Sequence, residues 1–293
     1  MTAIPGTPQI QNIIPTTYYH TTAAAAPLMG IIGAVLIAVP SYIYLDWRIR
    51  STRKKGLHFV EDPKHQQKQV ELAEQPGWHW LSGLLPLVVV VLMLNVLPPV
   101  LKNAGVVELS SSEAIVIALL AGIVGVCLMN IHQFKAVPTA VNEGAVGSLS
   151  AIMNTACAVG FGSVVKIVPG FALLKNAMMN MPGSILFSEA VAVNVLAGAT
   201  GSASGGMSIA LEALGAQYLE KAAAIGLNPA YLHRIASLAS GGLDTLPHNG
   251  AVLTLLAVSN CTHKESYLDV CVTSCVIPVI VSLLLSLVWG VFI

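Results

Sequence analysis

Three short stretches hold residue types suited to binding a small polar anion. "GATGSASGG" (198–206) sets Gly198, Gly201, Gly205 and Gly206 around Thr200, Ser202 and Ser204. Glycines let a backbone approach a ligand closely, and the hydroxyls match hydroxyl groups on a ligand. "DTLPHNG" (244–250) offers Asp244, Thr245, His248 and Asn249. Thr245 and Asn249 can donate to a carboxylate. Histidine titrates near neutral pH, so His248 could hold substrate or carry a proton. "PGTPQIQN" (5–12) adds Thr7, Gln9, Gln11 and Asn12. Plainer readings stand beside these. Gly201 and Gly205 also form a close-packing G-x-x-x-G, a histidine in an apolar run is often only hydrogen-bonded structure, and the amides can simply cap backbone at a break.

Other chemistries find little support. No Gly-Lys-Ser/Thr follows the glycines, so nucleotide binding is not indicated. There is no H-E-x-x-H, and "GSASG" has Ala203 where a G-x-S-x-G nucleophile would stand. His248 with Asp244 lacks an evident nucleophile, so an enzyme is not expected. The five cysteines have neither zinc nor redox spacing and read as small packing residues. No metal and no cofactor are expected.

The elements that must position these stretches are membrane helices. The 293 residues are 55% hydrophobic and only 10% charged, with mean hydropathy +0.75, against about 25% charged in soluble domains. Net charge is zero, so no nucleic-acid partner is indicated. Twelve of the 28 charges fall between Asp46 and Glu74, marking one substantial polar loop. A span needs about 20 apolar residues, and the chain offers Ala23–Tyr44, Leu81–Leu101 (with Trp78 and Trp80 as anchors), Ala114–Ile131, Gly144–Val168 and a last span over about 267–292. Between them lie apolar pieces too short to cross comfortably, Ser184–Ala197 and Met207–Leu219 around "GATGSASGG", and Ala230–Ser240 and Ala251–Val258 around the second break. Irregular backbone at membrane depth survives only when buried in protein or lining a cavity, and such breaks point to a carrier's binding site.

Ionisable residues inside a membrane cost about 2.5–3.5 kcal/mol each. Glu189 and Glu212 fall on the two arms of the hairpin, and either could be a proton site. Glu212, about two turns from the tip, is slightly preferred, and Asp244 and His248 are further proton-coupling candidates. Arg234, beside Tyr231 and His233, reads as an interface snorkeler, and Lys166 and Lys175 as residues of the outer interface.

The five basic residues from Arg48 to Lys55 put the end of the first span in the cytoplasm. His132, Lys135, His263 and Lys264 then fall inside, the linker 47–78 is cytoplasmic and the C-terminus outside. The opening also matches the second break in order: break, half-helix, polar loop, span. Pro5 and Pro247 are 242 positions apart, Pro40 and Pro278 are 238 apart, and the two copies run in opposite directions. The expected fold is therefore an all-α integral membrane protein with inverted repeats, a re-entrant helical hairpin (184–224) and broken helices (230–258). Residues 1–46 would be the tail of repeat one and 79–293 all of repeat two, implying a fragment or a late start.

"GATGSASGGMSIALEALG", "HRIASLASGGLDTLPHNGAVLTLLAVSNCTHKESYLDV" and "PGTPQIQNIIPTTYYHTT" resemble the bacterial gluconate permease family of the ion transporter superfamily, and the resemblance covers essentially the whole chain. It implies a secondary transporter of the cytoplasmic (inner) membrane. Such a protein would take up gluconate, a related sugar acid, D-serine or 3-hydroxybutyrate with a proton, as a homodimer with scaffold and transport domains. The "GSASGG" tip departs from that of gluconate carriers and points toward a smaller hydroxy acid. Sodium coupling and an inactive truncated fragment remain the alternatives.

Overall fold

The computed structural model describes residues 4–56, 79–105, 109–129, 135, 137–165, 167–259 and 261–292, and among them there is no strand. Most of the expected polar loop (57–78), Ile131, His132 and Lys166 lie outside the described residues.

A turn at Gly6 leads into α1 (Ile10–Tyr19), which ends at His20 in the left-handed conformation. Pro27 then opens α2 (Pro27–Lys54), where a missing N–H costs nothing because first-turn donors have no helical acceptor. The expected first span ends at Tyr44, but α2 carries on through Arg48, Arg50 and Arg53. Its 28 residues amount to about 42 Å, more than a hydrocarbon core requires.

Next come α3 (His79–Asn103) and α4 (Ser111–Met129), packed on one another through Val90, Leu94, Ala114 and Ala118. The start of α4 is locked reciprocally: the Ser110 N–H donates to Glu113 Oε2 at 2.8 Å, and the Glu113 N–H donates to Ser110 Oγ at 3.3 Å. They are followed by α5 (Val137–Val165) and α6 (Pro169–Met179).

The hairpin consists of α7 (Ile185–Thr200) and α8 (Ala203–Ala224), joined by Gly201 and Ser202. Gly201 turns the chain with φ 60°, and Ser202 Oγ accepts the Gly205 N–H at 3.1 Å. That cap starts α8 at once, so the glycine-rich stretch expected to be loop is mostly helix, and the arms have 16 and 22 residues. The arms are antiparallel: Gly206 abuts Ala197 near the tip, and the hydroxyls of Ser188 and Tyr218 meet near the base. A Cβ on Gly206 would overlap the Ala197 backbone. Gly206 is therefore a close-packing glycine of this hairpin.

The second break forms as the sequence suggests: α9 (Pro229–Ser240), a 3-10 turn at Leu243–Thr245, then α10 (Gly250–Val258). A last rod follows, made of α11 (His263–Cys271), a π turn (Val272–Val276) and α12 (Ile277–Phe292). Arg48 grips Asp269 with both ends of its fork, Nε–Oδ1 at 2.6 Å and Nη2–Oδ2 at 3.0 Å. The Tyr44 hydroxyl joins the same carboxylate at 2.7 Å, tying α2 to α11.

The main core lies among α1, α2, α7, α8, α9 and α12, and includes Leu186, Val193, Leu211, Leu232, Ile235 and Leu285. Outer helix faces are apolar as well: Leu28, Tyr42, Leu87, Leu120 and Leu128 are each more than half exposed. Faces this extensive belong against lipid. Among the described residues, Pro27–Lys54, Gly83–Asn103, Ser112–Met129 and His263–Val291 are long and apolar enough to cross a bilayer. The chain is a multi-pass membrane protein. The helix Val137–Val165, where a span over 144–168 is expected, is not one of these four.

Candidate binding site

The tip of the hairpin meets the second break. Asn249 is the joint between them. It is buried, and its Nδ2 donates to the Gly201 carbonyl and to the Asp244 carbonyl, each at 2.8 Å. Its Oδ1 accepts the N–H groups of Ala251 at 2.6 Å and Val252 at 3.0 Å, capping α10. One side chain thus holds the hairpin turn, closes the break and starts the next helix.

Around this joint opens a cleft of 1180 Å³. Its walls include Thr200, Gly201, Ser202 and Ser204 from the hairpin, Asp244 and Asn249 from the break, and Gln11 from α1. Seven of the residues singled out in the sequence therefore come together from three separate parts of the chain. The first residues of α8 (Ala203, Ser204) and of α10 (Gly250, Ala251) stand on the wall. Helix starts carry partial positive charge and N–H groups without helical acceptors, so two of them converge on one cavity. Opposite in character is Asp244, whose Oδ1 is buried without a hydrogen-bond partner. The cleft wall thus combines helix starts with a carboxylate oxygen that has no partner.

The other singled-out residues are used differently. Asn12 does not line the cleft; it is buried, donates to Thr7 Oγ1 at 2.6 Å and accepts from Arg234 Nη1 at 2.7 Å. The Thr7 hydroxyl donates to the Ile4 carbonyl, and Gln9 is the residue before α1. Gly198 packs under Leu243, and the Gly205 N–H is taken by Ser202. The Thr245 hydroxyl donates to the Ser274 carbonyl at 2.8 Å, and the Tyr267 hydroxyl donates back to the Thr245 carbonyl at 3.2 Å. The break is therefore pinned to the π turn of the last rod. His248 is exposed and lies across Gly201, so close that a Cβ there would stand 2.7 Å from its ring.

An ionisable residue corrects the sequence reading. Arg234 is no interface snorkeler. It is fully buried, and its guanidinium donates to the carbonyls of Ala23 and Ala25 as well as to Asn12. A buried cation needs several acceptors, and the loop between α1 and α2 supplies them. Its neighbour His233 is buried too, against the Thr21 hydroxyl at 2.6 Å. Of the two hairpin glutamates, Glu212 is exposed on α8, while Glu189 is wholly buried in α7.

Some cleft residues escaped the sequence reading. Ala251, Thr254 and Leu255 line it from α10. Their spacing from Gly250 puts them on one helical face, a signal that was present in the sequence. Nothing in the sequence named two of the acceptors of Arg234, because they are backbone carbonyls 209 and 211 positions away.

The chain is 39% identical over 295 residues to a protein of Bacillus subtilis (strain 168) described as the uncharacterized transporter YxjC. The similarity covers 92% of the chain, which spans 62% of that relative's length. No family model matches the chain, and no solved structure matches it.

Proposed function

We propose that the chain belongs to a secondary carrier that takes up a small hydroxycarboxylate, of gluconate or 3-hydroxybutyrate type, together with a proton by alternating access. The observation that carries this reading is the cleft in which Thr200, Gly201, Ser202 and Ser204 meet Asp244, Asn249 and Gln11. The printed description of the Bacillus relative as a transporter supports it. In this reading the substrate carboxylate lies against the starts of α8 and α10, which suit an anion. The hydroxyls of Thr200, Ser202 and Ser204 and the amide of Gln11 meet substrate hydroxyls, and Asp244 accepts from one of them. His248, beside Gly201, borders the entrance.

A two-fold internal repeat belongs to the same proposal. Asn12 reaches back five residues to Thr7, as Asn249 reaches back five to Asp244. Each asparagine lies in or just before a short helix (α1, α10), and a long helix follows, α2 in one case and the last rod in the other. The carrier would sit in a bacterial cytoplasmic membrane, with the linker 47–78 inside, the C-terminus outside and a homodimer as the working unit.

Sodium coupling is the second reading, favoured by the unpartnered Asp244 Oδ1 in the cleft and by the carbonyls exposed where helices unwind. Uptake of labelled gluconate, D-serine and 3-hydroxybutyrate into proteoliposomes tests both. An inward pH gradient without sodium should drive uptake of one of them. Uptake that needs sodium at constant pH selects the second reading, and no uptake of any carboxylate removes both.

A further inference from the structure

Glu189 lies well away from the cleft, eleven residues before the end of α7, or about 16 Å along the helix. It is wholly buried in the main core. The Tyr19 hydroxyl of α1 donates to its Oε1, while Oε2 has no partner. Burying a carboxylate with one oxygen unsatisfied is unfavourable, and a close-packed apolar core admits no hydrated ion to relieve it. A proton needs no space and asks for one oxygen only. Metal cations require several oxygen ligands, and no cluster of three His, Cys, Asp or Glu occurs among the described residues.

The surroundings, among the described residues, contain the parts of a proton site. From α8, the Tyr218 hydroxyl stands 3.1 Å from Ser188 Oγ, beside Glu189 in sequence. Tyr218 is within electrostatic range of both Glu189 and Tyr19. From α9, Arg234 is engaged by the α1–α2 loop and Asn12, and His233 meets the Thr21 hydroxyl through Nδ1 while its Nε2 is buried without a partner. From α12 no titratable residue faces it, since Ile277–Phe292 contains none, and Asp244 of the 3-10 turn lines the cleft instead. Ser188 and Tyr218 also line a separate cavity of 370 Å³ at the base of the hairpin, together with Ser184 and Lys221. That base is the end remote from the cleft.

We infer that Glu189, held by Tyr19, is the proton-binding site of this protein, separate from the substrate cleft and reached from the cavity at Ser188 and Tyr218. A hydronium ion in that cavity gives up its proton, the Oε2–H bond forms, and water remains. The inference rests on the proton-coupled reading above and assigns the residue that would carry the proton.

The test is made on the full chain in lipid. Hydrogen–deuterium infrared difference spectra should show the C=O stretch of a protonated carboxylic acid in the wild-type protein, and Glu189→Gln should lack it. Glu189→Gln should also lose uptake driven by a pH gradient, and Glu189→Asp should recover part of both signals. A band that survives in Glu189→Gln, or pH-driven uptake equal to wild type, overturns the assignment. If Glu189→Gln does not fold, Tyr19→Phe decides: removing the donor to Oε1 should shift the band, and an unshifted band overturns the assignment. If the wild type transports no carboxylate yet the band is present and disappears in Glu189→Gln, the transport reading fails while the proton site stands.

Discussion

Arg234 Nη1 donates to Asn12 Oδ1 at 2.7 Å across 222 positions of sequence, with both residues fully buried. The same Oδ1 accepts from the Ser237 hydroxyl at 3.0 Å. The amide that the sequence suggested for ligand binding is thus the acceptor that brings α9 to α1. Replacing Asn12 takes one acceptor from Arg234, and replacing Arg234 takes one donor from Asn12. Charged hydrogen bonds contribute about 1.5–3 kcal/mol each, so Arg234→Leu and Asn12→Ala should each lower the melting temperature markedly in detergent. The double variant should lose less than the two single losses together. Additive losses in that cycle would show that the contact does not couple the helices.

Asn249→Asp separates the two tasks of the joint residue. The carboxylate retains an oxygen to cap Ala251 and Val252, but loses the donor to Gly201 and Asp244. It also sets a negative charge on the cleft wall. Stability should fall by about 2 kcal/mol, the scale of the two hydrogen bonds lost. Affinity for an anionic substrate should fall by more than about tenfold, as the loss of 1.4 kcal/mol or more implies. Binding measured by competition at fixed pH checks this, and unchanged affinity would remove Asn249 from the site.

The two hairpin glycines should fail in different ways. Gly206→Val has no space beside Ala197, so the arms must separate and the protein should express poorly or melt early. Gly201→Ala meets a left-handed backbone, φ 60°, and the His248 ring. The strain is about 1–2 kcal/mol, and relieving it moves His248. Its expected signature is weaker substrate binding with most of the fold retained.

Thr245→Val removes the hydroxyl that reaches the Ser274 carbonyl in the π turn. That bond links the break to the last rod. If the two move together, the variant should bind substrate as wild type but cycle more slowly, read as lower maximal uptake at unchanged half-saturation. A changed half-saturation with unchanged maximal rate would make Thr245 a binding residue instead.

Legibility differed from one residue to the next. The breaks were readable because Pro247, Gly250 and the run Gly198–Gly206 interrupt apolar segments, and helices stop where backbone bonds cannot continue. The extents of the arms were less readable, since Ser202 as a cap draws Ala203–Gly206 into a helix despite two glycines. Gln11, Thr200, Ser202, Ser204, Asp244 and Asn249 were singled out from their types alone, and they line one cleft. Thr7, Asn12 and Thr245 have the same chemistry, yet they stand outside the cleft, bonded to Ile4, Arg234 and Ser274.

By itself the sequence determined that this is a multi-pass helical membrane protein with two polar breaks, because lipid tolerates only apolar, internally bonded helices. Tertiary structure alone decided which polar groups stand on the cleft wall. Asn12 and Asn249 look alike in sequence, but Arg234 occupies one, while the other stands where the hairpin tip leaves a cavity. Likewise Glu189 and Glu212 lie on the two arms of one hairpin, and tertiary packing buries the first and leaves the second exposed. A side chain's function depends on what has already satisfied it, and that is settled by contacts made across hundreds of residues.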